Sequence, residues 1–350
     1  MTKAETGVHA DAERLLAGGS KSFFAASRGL PAKVRTPAAI LYAYCRLADD
    51  AVDEAGAGEV GAAVAELTAR LDAIYAGSPR QEGFDAAFAE VVERFGIPKT
   101  LPVALIEGFA WDAAGRRYAT LSDVRAYGAR VAGAVGAMMA LVLGTRDRHS
   151  LARATDLGVA MQLTNIARDV GEDARNGRFY LPLEWLEERG MDADRWLQQP
   201  EWNPAVGDAV ARLLAEAERL YARADAGIDA LPVGVRPGIY SARRLYAGIG
   251  EELMRGRLNP LVERTVVPRT RKRQLVTHAA LSSLRSLVVP RDPSAWPALP
   301  ETAYLVDAAA KASDESAPSW WRFGPRIAAA LELFEALERR DRVTRAAPGA

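Results

Sequence analysis

Apolar side chains recur along the chain every three to four residues, the period of an amphipathic helix, whereas alternation with period two is scarce. Gly and Pro fall mainly at the ends of the periodic segments, where they stop helices. The pattern predicts helices at 9–18, 36–55, 60–76, 82–95, 98–115, 150–174, 183–189, 205–230, 235–255, 270–285 and 325–340, with one more after Ser122-Asp123. We therefore expect an all-α protein.

Three of these helices begin with a capping signal. Thr36 precedes Pro37, and Ser122 and Ser150 each precede a periodic segment, so we expect these three hydroxyl residues as N-caps. In the first of these helices the predicted buried stripe is Ile40, Leu41, Tyr44, Leu47 and Ala48. In the helix over 150–174 the predicted core residues are Leu157, Met161, Leu163 and Ile166.

The length of 350 residues allows one large domain or two ordinary ones. Periodic helical segments fill residues 18–290, which we predict to form one helical bundle. Residues 1–17 form a short N-terminal segment. After Pro290 the composition shifts towards Pro, Ser and Trp, and residues 291–350 are predicted as a helical appendage of the bundle with a polar tail.

Composition and charge exclude several classes of protein. Lys plus Arg and Asp plus Glu both number 45, so no overall field favours nucleic acid. Cys45 is the only cysteine, which excludes an internal disulfide and is consistent with a reducing compartment. Residues 1–20 carry charges throughout, so no signal peptide is expected. The longest uncharged stretch, 131–144, reaches about 21 Å as a helix, too short to cross a bilayer.

The stretch 162–173 carries the most distinctive pattern of the chain. Asn165, Asp169 and Asp173 are spaced four residues apart, so on a helix their oxygen-bearing side chains stack on one face. Two carboxylates stacked in this way repel each other and weaken the helix unless something positive lies between them. We call this set the second acidic ladder.

Asp49 and Asp53 repeat the same spacing on an earlier helix, and form the first acidic ladder. They lie near the C-terminal end of that helix, where the macrodipole disfavours anions, and a local conflict of this type tends to mark a functional site. The ladders supply oxygen ligands without a nearby His or Cys, which suits Mg²⁺. Two facing ladders would hold two or three such ions on a diphosphate and make it a better leaving group. Arg46 and Arg168 offer planar guanidinium groups to the phosphate oxygens.

Other motifs give weaker signals. Gly56, Gly58 and Gly61 match a dinucleotide fingerprint, but a helix precedes them where a strand is needed, so we interpret them as a loop. The Gly- and Ala-rich segment 131–139 either packs tightly against another helix or leaves room for a ligand, and close packing is favoured. The three histidines give no Glu-x-x-His pair, which argues against a di-iron bundle.

Taken together, these motifs resemble the squalene/phytoene synthase family over roughly residues 18–285. The resemblance is carried by the motifs Asp49-Asp50-x-x-Asp53 and Gln162-x-x-Asn165-x-x-Arg168-Asp169-x-x-x-Asp173. It is strengthened by Ser20-Lys21-Ser22-Phe23, Tyr44-Cys45-Arg46, Val131-Ala132-Gly133-x-Val135-Gly136 and Arg178-x-Tyr180-Leu181-Pro182, in the family's order. Tyr304-Leu-Val-Asp307 and Trp320-Trp321 resemble the C-terminal part of some bacterial members.

The resemblance implies an isoprenoid-synthase bundle around a central apolar channel, and a set of site residues. The implied metal ligands are Asp49, Asp53, Asn165, Asp169 and Asp173. The implied contacts with substrate or diphosphate are Ser20, Arg46, Gln162, Arg168, Arg178, Tyr180 and Arg264. The implied catalytic set is Asp49, Asp53, Tyr127, Asn165, Asp169 and Tyr246, with Tyr127 and the small residues after it lining the channel.

The same resemblance implies a Mg²⁺-dependent prenyltransferase that joins two prenyl diphosphates head to head through a cyclopropylcarbinyl diphosphate. Mn²⁺ is an alternative metal, and no NADPH is expected. Tyr127, Tyr246 or the departing diphosphate could take the proton. The overall look favours members that use geranylgeranyl diphosphate, with farnesyl diphosphate as the alternative. A terpene cyclase and a non-catalytic assembly protein of this fold are the remaining hypotheses. We expect a cytoplasmic protein with peripheral contact at the inner face of the membrane.

Overall fold

The computed structural model describes residues 3–19, 24, 27–55, 59–81, 83–256, 258–261 and 264–311. Within these ranges the chain is helical or forms loops, and no strand occurs. The helices are α1 (Lys3–Gly19), α2 (Ala32–Asp53), α3 (Val60–Tyr75), α4 (Asp85–Phe95), α5 (Thr100–Ala113), α6 (Leu121–Gly128), α7 (Ala134–Val142), α8 (Arg148–Arg175), α9 (Leu183–Glu187), α10 (Ala193–Gln198), α11 (Pro204–Ala230), α12 (Arg236–Arg255), α13 (Arg269–Val288) and α14 (Ala303–Lys311). The predicted all-α fold is confirmed.

The predicted start of α2 is wrong. The helix begins at Ala32, so Thr36 is no cap and Pro37 lies buried inside the helix. The guanidinium of Arg35 folds back and donates to the carbonyl oxygens of Ser27 at 3.3 Å and Leu30 at 2.8 Å, which fixes the loop ahead of the helix. Of the predicted buried stripe, four residues are buried and Leu47 is half-buried.

Two other caps lie earlier in the sequence than expected. Thr120 caps α6 and forms a capping box with Asp123, so Ser122 lies inside the helix. Asp147 caps α8 by accepting a hydrogen bond from the backbone nitrogen of Ser150 at 2.8 Å. Ser150 therefore occupies the capped position and is not the cap. Helices α10 and α14 were not predicted.

The long helix α8 is the centre of the bundle, packing against α7, α11, α12 and α14. Two glycines allow α8 to approach the small-residue segment closely. A Cβ atom at Gly158 would lie 2.3 Å from the carbonyl oxygen of Ala132, and one at Gly136 would lie 2.4 Å from that of Ala154. Because both neighbours are backbone atoms, they cannot move aside, and only glycine fits at either position. The expected close packing of the small-residue segment is therefore observed.

A π-helical turn at Ala129–Gly133 joins α6 to α7. Such a turn widens the helix locally and shifts the register of the side chains that follow it, and it is frequent at functional sites. Here it lies between Tyr127 and the small residues that contact α8. The turn sets how these residues face the centre of the bundle.

Residues 291–311 pack onto the bundle through buried ion pairs. Arg153 and Arg223 both pair with Asp156, with N–O distances of 2.8 and 2.9 Å. Each guanidinium also donates to the carbonyl oxygen of Pro297, at 3.0 and 2.6 Å. Asp156 neutralises the two arginines, and they hold the segment that contains Pro297 against α8 and α11.

Some predicted features lie outside the described residues. They include the helix at 325–340 and Trp320-Trp321, and the extent of the predicted C-terminal appendage stays a prediction. Among the described helices, none is long and apolar enough to cross a membrane.

Candidate active site

A cavity of about 390 Å³ runs through the middle of the bundle. Eight residues of α8 line it, spaced three or four residues apart and therefore on one face of the helix. They are Ser150, Arg153, Ala154, Leu157, Gly158, Met161, Gln162 and Asn165. From Ser150 to Asn165 the helix rises about 22 Å, so the cavity follows α8 along much of its length. The predicted core residues Leu157 and Met161 thus face the cavity, whereas Leu163 and Ile166 are buried.

The two ends of the cavity differ in chemistry. Charged and amide groups surround one end, which we call the acidic end: Arg46, Asp49, Asp112, Gln162 and Asn165. At the other, distal end the lining is largely apolar and includes Leu143, Ser150, Ala154, Ile228 and Leu231, together with the stem of Arg153. The small residues Val131, Ala132, Val135 and Gly136 line the wall between the two ends, as does Tyr127. The small-residue segment 131–139 therefore both packs tightly against α8 and leaves room for a ligand.

The first acidic ladder is held by arginines from two parts of the chain. Arg46, one turn earlier on α2, donates to Asp49 at 3.3 Å and pairs with Asp50 at 2.5 Å. Arg178, from the loop after α8, reaches across to Asp53 at 2.6 Å. The loop that carries Arg178 is thus tied to α2.

The second acidic ladder is similarly neutralised. Asp169 accepts a hydrogen bond from the Nε of Arg168 at 2.7 Å and from the Nε of Arg264 at 3.0 Å. Arg264 lies 95 residues further along the chain, beyond α12. The amide of Asn165 donates to the side-chain oxygen of Gln162 at 3.4 Å. The ladder therefore joins α8 to the segment after α12.

The ladders and one further carboxylate form a single electrostatic cluster. Burial raises the pKa of Asp49 to about 6, and the negative charges of Asp53 and Asp112 contribute. Burial also raises the pKa of Asp173 to about 7, and the negative charges of Asp169 and Asp112 contribute. Because Asp112 influences both ladders, the structure brings them together around it, and the cluster holds more negative charge than burial favours.

Asp112 is a site residue that the sequence analysis missed. Its two carboxylate oxygens accept hydrogen bonds from the hydroxyl groups of Tyr127 at 2.6 Å and Tyr180 at 2.7 Å. Burial raises the pKa of Asp112, and the two hydroxyl groups oppose this rise. One signal was available: Asp112 is a charged residue at the end of the largely apolar helix α5, directly after Phe109-Ala-Trp111.

Three tyrosines stack beside this carboxylate. The ring centroid of Tyr127 lies 5.3 Å from that of Tyr118 and 5.2 Å from that of Tyr180. Burial and the adjacent Asp112 raise the pKa of Tyr127 well above its usual range. The Tyr127 hydroxyl therefore stays protonated, and it already donates its hydrogen to Asp112.

The aromatic groups differ in whether a ligand can reach their faces. Trp111 is covered by the guanidinium carbons of Arg116 at 3.7 Å and Arg130 at 4.0 Å from the ring centre. Phe109 and Tyr127 line the cavity. The aromatic surface that a ligand in the cavity meets therefore comes from residues other than Trp111.

The remaining predicted site residues fall into two groups. Tyr246 on α12 lines the cavity, together with Tyr42 on α2. Ser20 lies outside the described residues. Across the described ranges, no three His, Cys, Asp or Glu side chains converge closely enough to hold a metal ion. The reason is visible in the ion pairs, because Asp49, Asp53 and Asp169 are each turned towards an arginine.

Comparison with known proteins identifies relatives over most of the chain. The sequence profile described as squalene/phytoene synthase matches residues 16–273. Phytoene synthase from Rhodobacter capsulatus is 52% identical over 299 residues, covering 85% of this chain and 88% of that protein. Phytoene synthase from Cereibacter sphaeroides is 48% identical over 337 residues, covering 93% and 92%. A crystal structure of a dehydrosqualene synthase superposes with a TM-score of 0.74 at 28% identity, covering 80% of this chain and 98% of that one.

Proposed function

The chain belongs to the squalene/phytoene synthase family and is a prenyltransferase, and from this premise we propose that it acts as a phytoene synthase. In that reaction two molecules of geranylgeranyl diphosphate are joined head to head to give phytoene, and diphosphate is released. The observation that carries the proposal is the cavity, which follows α8 for about 22 Å in all and in which an acidic end continues into an apolar channel. A prenyl diphosphate has the same division into a charged head and an apolar chain.

We propose that Mg²⁺ binds at the acidic end, with Mn²⁺ as an alternative. The candidate ligands Asp49, Asp53, Asn165, Asp169 and Asp173 are oxygen donors of the type that Mg²⁺ prefers. Burial and then the neighbouring carboxylates raise the pKa values of Asp49 and Asp173, and a divalent cation would favour the charged form of both groups. When bound, Mg²⁺ neutralises charge on the diphosphate and makes it a better leaving group.

The arginines of the acidic end would then change partners. Each now neutralises a carboxylate of a ladder, and each guanidinium can bind two phosphate oxygens with its planar fork. We propose that these arginines turn to the diphosphate when the carboxylates hold the metal. They are Arg46, Arg168, Arg178 and Arg264.

The channel protects the reactive intermediates. Loss of diphosphate from the first substrate leaves an allylic cation, which the double bond of the second substrate attacks. The apolar lining excludes water that would quench the cation, and the ring faces of Phe109 and Tyr127 stabilise it. Because the Tyr127 hydroxyl donates to Asp112 and stays protonated, we propose the departing diphosphate as the base that removes the proton.

Product analysis tests this function. The purified protein is incubated with Mg²⁺ and either geranylgeranyl or farnesyl diphosphate, with and without NADPH, and the organic extract is analysed by mass. We expect a C40 hydrocarbon from geranylgeranyl diphosphate without NADPH, no product after EDTA treatment, and recovery with added Mg²⁺. Turnover that survives EDTA would remove the metal from the proposal.

A second candidate function follows from the structural comparison. The likeness to a dehydrosqualene synthase favours joining of two farnesyl diphosphates, but the identity of 28% is well below the 52% shared with a phytoene synthase. A C30 product from farnesyl diphosphate alone would establish this second function. A cyclised product with the carbon number of its substrate would show a terpene cyclase. Because both substrate and product are lipids, we also propose that the protein exchanges them at the cytoplasmic surface of a membrane.

A further inference from the structure

The first half of helix α13 buries Leu275 and Ala279, but in its second half leucines face outward and serines face inward. Leu281 and Leu284 are 58% and 61% exposed and Val288 is 82% exposed, whereas Ser283 and Ser286 are buried. A helix on the surface of a globular protein normally shows the reverse arrangement, with its apolar stripe towards the core. The inversion of this rule marks the outer face of α13 as a place where another surface binds.

The buried serines have partners that hold the helix in this orientation. The guanidinium of Arg236 donates to the hydroxyl oxygen of Ser286 at 3.0 Å, and that hydroxyl donates to the carbonyl oxygen of Ser283 at 2.7 Å. Arg244 donates to the hydroxyl oxygen of Ser282 at 3.0 Å. Because these hydrogen bonds fix the polar face against α12, the leucines cannot turn inward without leaving the arginines unpaired.

The exposed apolar side chains are concentrated in this region. Of the thirteen large apolar residues that are exposed in the described part of the chain, seven lie between residues 266 and 289. Leu281, Leu284 and Val288 are spaced three and four residues apart, so they share one face of the helix, and Leu287 flanks them. We call Leu281, Leu284, Leu287 and Val288 the outer apolar strip.

The segment that carries the outer apolar strip has side-chain charges of one sign. Residues 264–291 contain seven Lys or Arg and no Asp or Glu, although the whole chain carries equal numbers of basic and acidic residues. Three of the seven basic residues are neutralised by acidic residues elsewhere: Arg264 pairs with Asp169, Arg271 pairs with Glu251, and Arg291 pairs with Asp229. Four basic residues of α13 have no ion pair among the described residues: Arg269, Lys272, Arg273 and Arg285. The region is therefore both apolar and cationic.

We propose that the outer face of α13 docks onto a bilayer that contains anionic phospholipid. An exposed strip of leucines with basic residues beside it is the composition of a helix that lies in the plane of a membrane interface. Its leucines enter the boundary between headgroups and acyl chains, and its basic residues meet the negative surface. The proposal rests on the proposed function only for its purpose, which is to place the channel where lipid substrate and product are exchanged.

The position of α13 beside a helix that lines the cavity supports this assignment. The helix packs against α12, whose residues Ile239, Ala242 and Tyr246 line the cavity, so a membrane on the outer face would lie one helix away from the channel.

Vesicle sedimentation with the full chain tests the proposal. We expect the protein to sediment with vesicles of phosphatidylcholine mixed with phosphatidylglycerol, and much less with vesicles of phosphatidylcholine alone. The triple variant Leu281→Ser, Leu284→Ser and Val288→Ser is expected to lower the partition coefficient about a hundredfold. The double variant Arg273→Gln and Arg285→Gln is expected to lower it roughly fivefold for each charge. The matched control, Val103→Ser with Val233→Ser, removes exposed apolar side chains elsewhere and is expected to bind as the parent does.

Three outcomes would overturn the proposal. The first is a parent protein that does not bind the anionic vesicles, or a triple variant that binds them equally well. The second is a lower melting temperature of the triple variant in the absence of vesicles, which would show that another segment of the same chain covers the strip. The third is a parent dimer that the triple variant dissociates, which would assign the strip to a second copy. Turnover of detergent-dispersed substrate reports on the proposed function separately, and all variants are expected to retain it.

Discussion

The substitution Ala154→Phe is expected to shorten the channel by one isoprene unit. Ala154 lines the cavity one turn from Ser150, at the distal end of the face of α8 that forms the channel wall. A phenylalanine there blocks the part of the channel beside residues 150–153, which corresponds to about 6 Å of the roughly 22 Å between Ser150 and Asn165. That is about a quarter of the channel, and geranylgeranyl diphosphate has four isoprene units where farnesyl diphosphate has three.

The size of the expected loss in kcat/KM follows from the apolar surface of the substrate that can no longer be buried in the channel. One isoprene unit has five carbons, and each buried carbon is worth about 0.8 kcal/mol, so excluding the unit costs about 4 kcal/mol. Every 1.4 kcal/mol is a factor of ten, and the loss therefore amounts to about a thousandfold in kcat/KM. The fourth unit of geranylgeranyl diphosphate would lose this contribution, whereas farnesyl diphosphate would keep its contacts.

The assay measures kcat/KM for both substrates with Ala154→Phe and with the matched variant Ala154→Ser, which adds one polar atom and little volume. The ratio of the two kcat/KM values is expected to shift towards farnesyl diphosphate by up to about a thousandfold in the first variant and little in the second. Circular dichroism and the melting temperature check that both variants fold. A folded Ala154→Phe protein whose substrate ratio equals that of the parent would refute the assignment of the distal end.

Three further substitutions probe the site and the packing around it. Asp169→Asn is expected to lower kcat about a hundredfold or more, because metal-assisted charge stabilisation is worth several kcal/mol, while the helical circular dichroism stays the same; undiminished product formation would contradict its role. Tyr180→Phe removes one hydrogen bond to the carboxylate of Asp112, and urea unfolding is expected to show a loss of about 1.5–3 kcal/mol in stability. Gly158→Ala forces a Cβ atom towards the carbonyl oxygen of Ala132 and is expected to lower the free energy of unfolding by about 1–3 kcal/mol; an unchanged urea midpoint would show that the helices can separate freely.

The parts of the site that could be predicted from the sequence are those with local spacing. Asp49 with Asp53, and Asn165 with Asp169, can be recognised from their spacing alone. Four residues make about one turn of helix, so each pair shares one face of its helix in any fold. Asp112 has no such partner nearby in sequence. Its partners, Tyr127 and Tyr180, are 15 and 68 residues away, so its role exists only after the bundle has formed.

Other misses have similar physical causes. Thr36-Pro37 has the composition of a helix start, but the earlier loop is fixed by Arg35 and the helix extends back to Ala32. The periodicity of α13 predicted a helix at 270–285, and the structure places it at Arg269–Val288. Periodicity alone did not show that the leucines of its second half face outward, because Arg236 and Arg244, which hold the inner face, belong to another helix. Orientation was decided by tertiary partners.

Substrate binding at the acidic end exchanges one set of ion pairs for another, as in a salt metathesis. On the proposed function, Arg178 exchanges Asp53 for a phosphate oxygen, and Arg264 does the same with Asp169, while the released carboxylates take up the cation. The number of close ion pairs is then nearly conserved through binding, so affinity is expected to depend weakly on ionic strength, in contrast to a bare anionic or cationic pocket. The empty enzyme also avoids the cost of leaving Asp49, Asp53 and Asp169 unneutralised, because it carries its own counterions until the magnesium salt of the substrate replaces them.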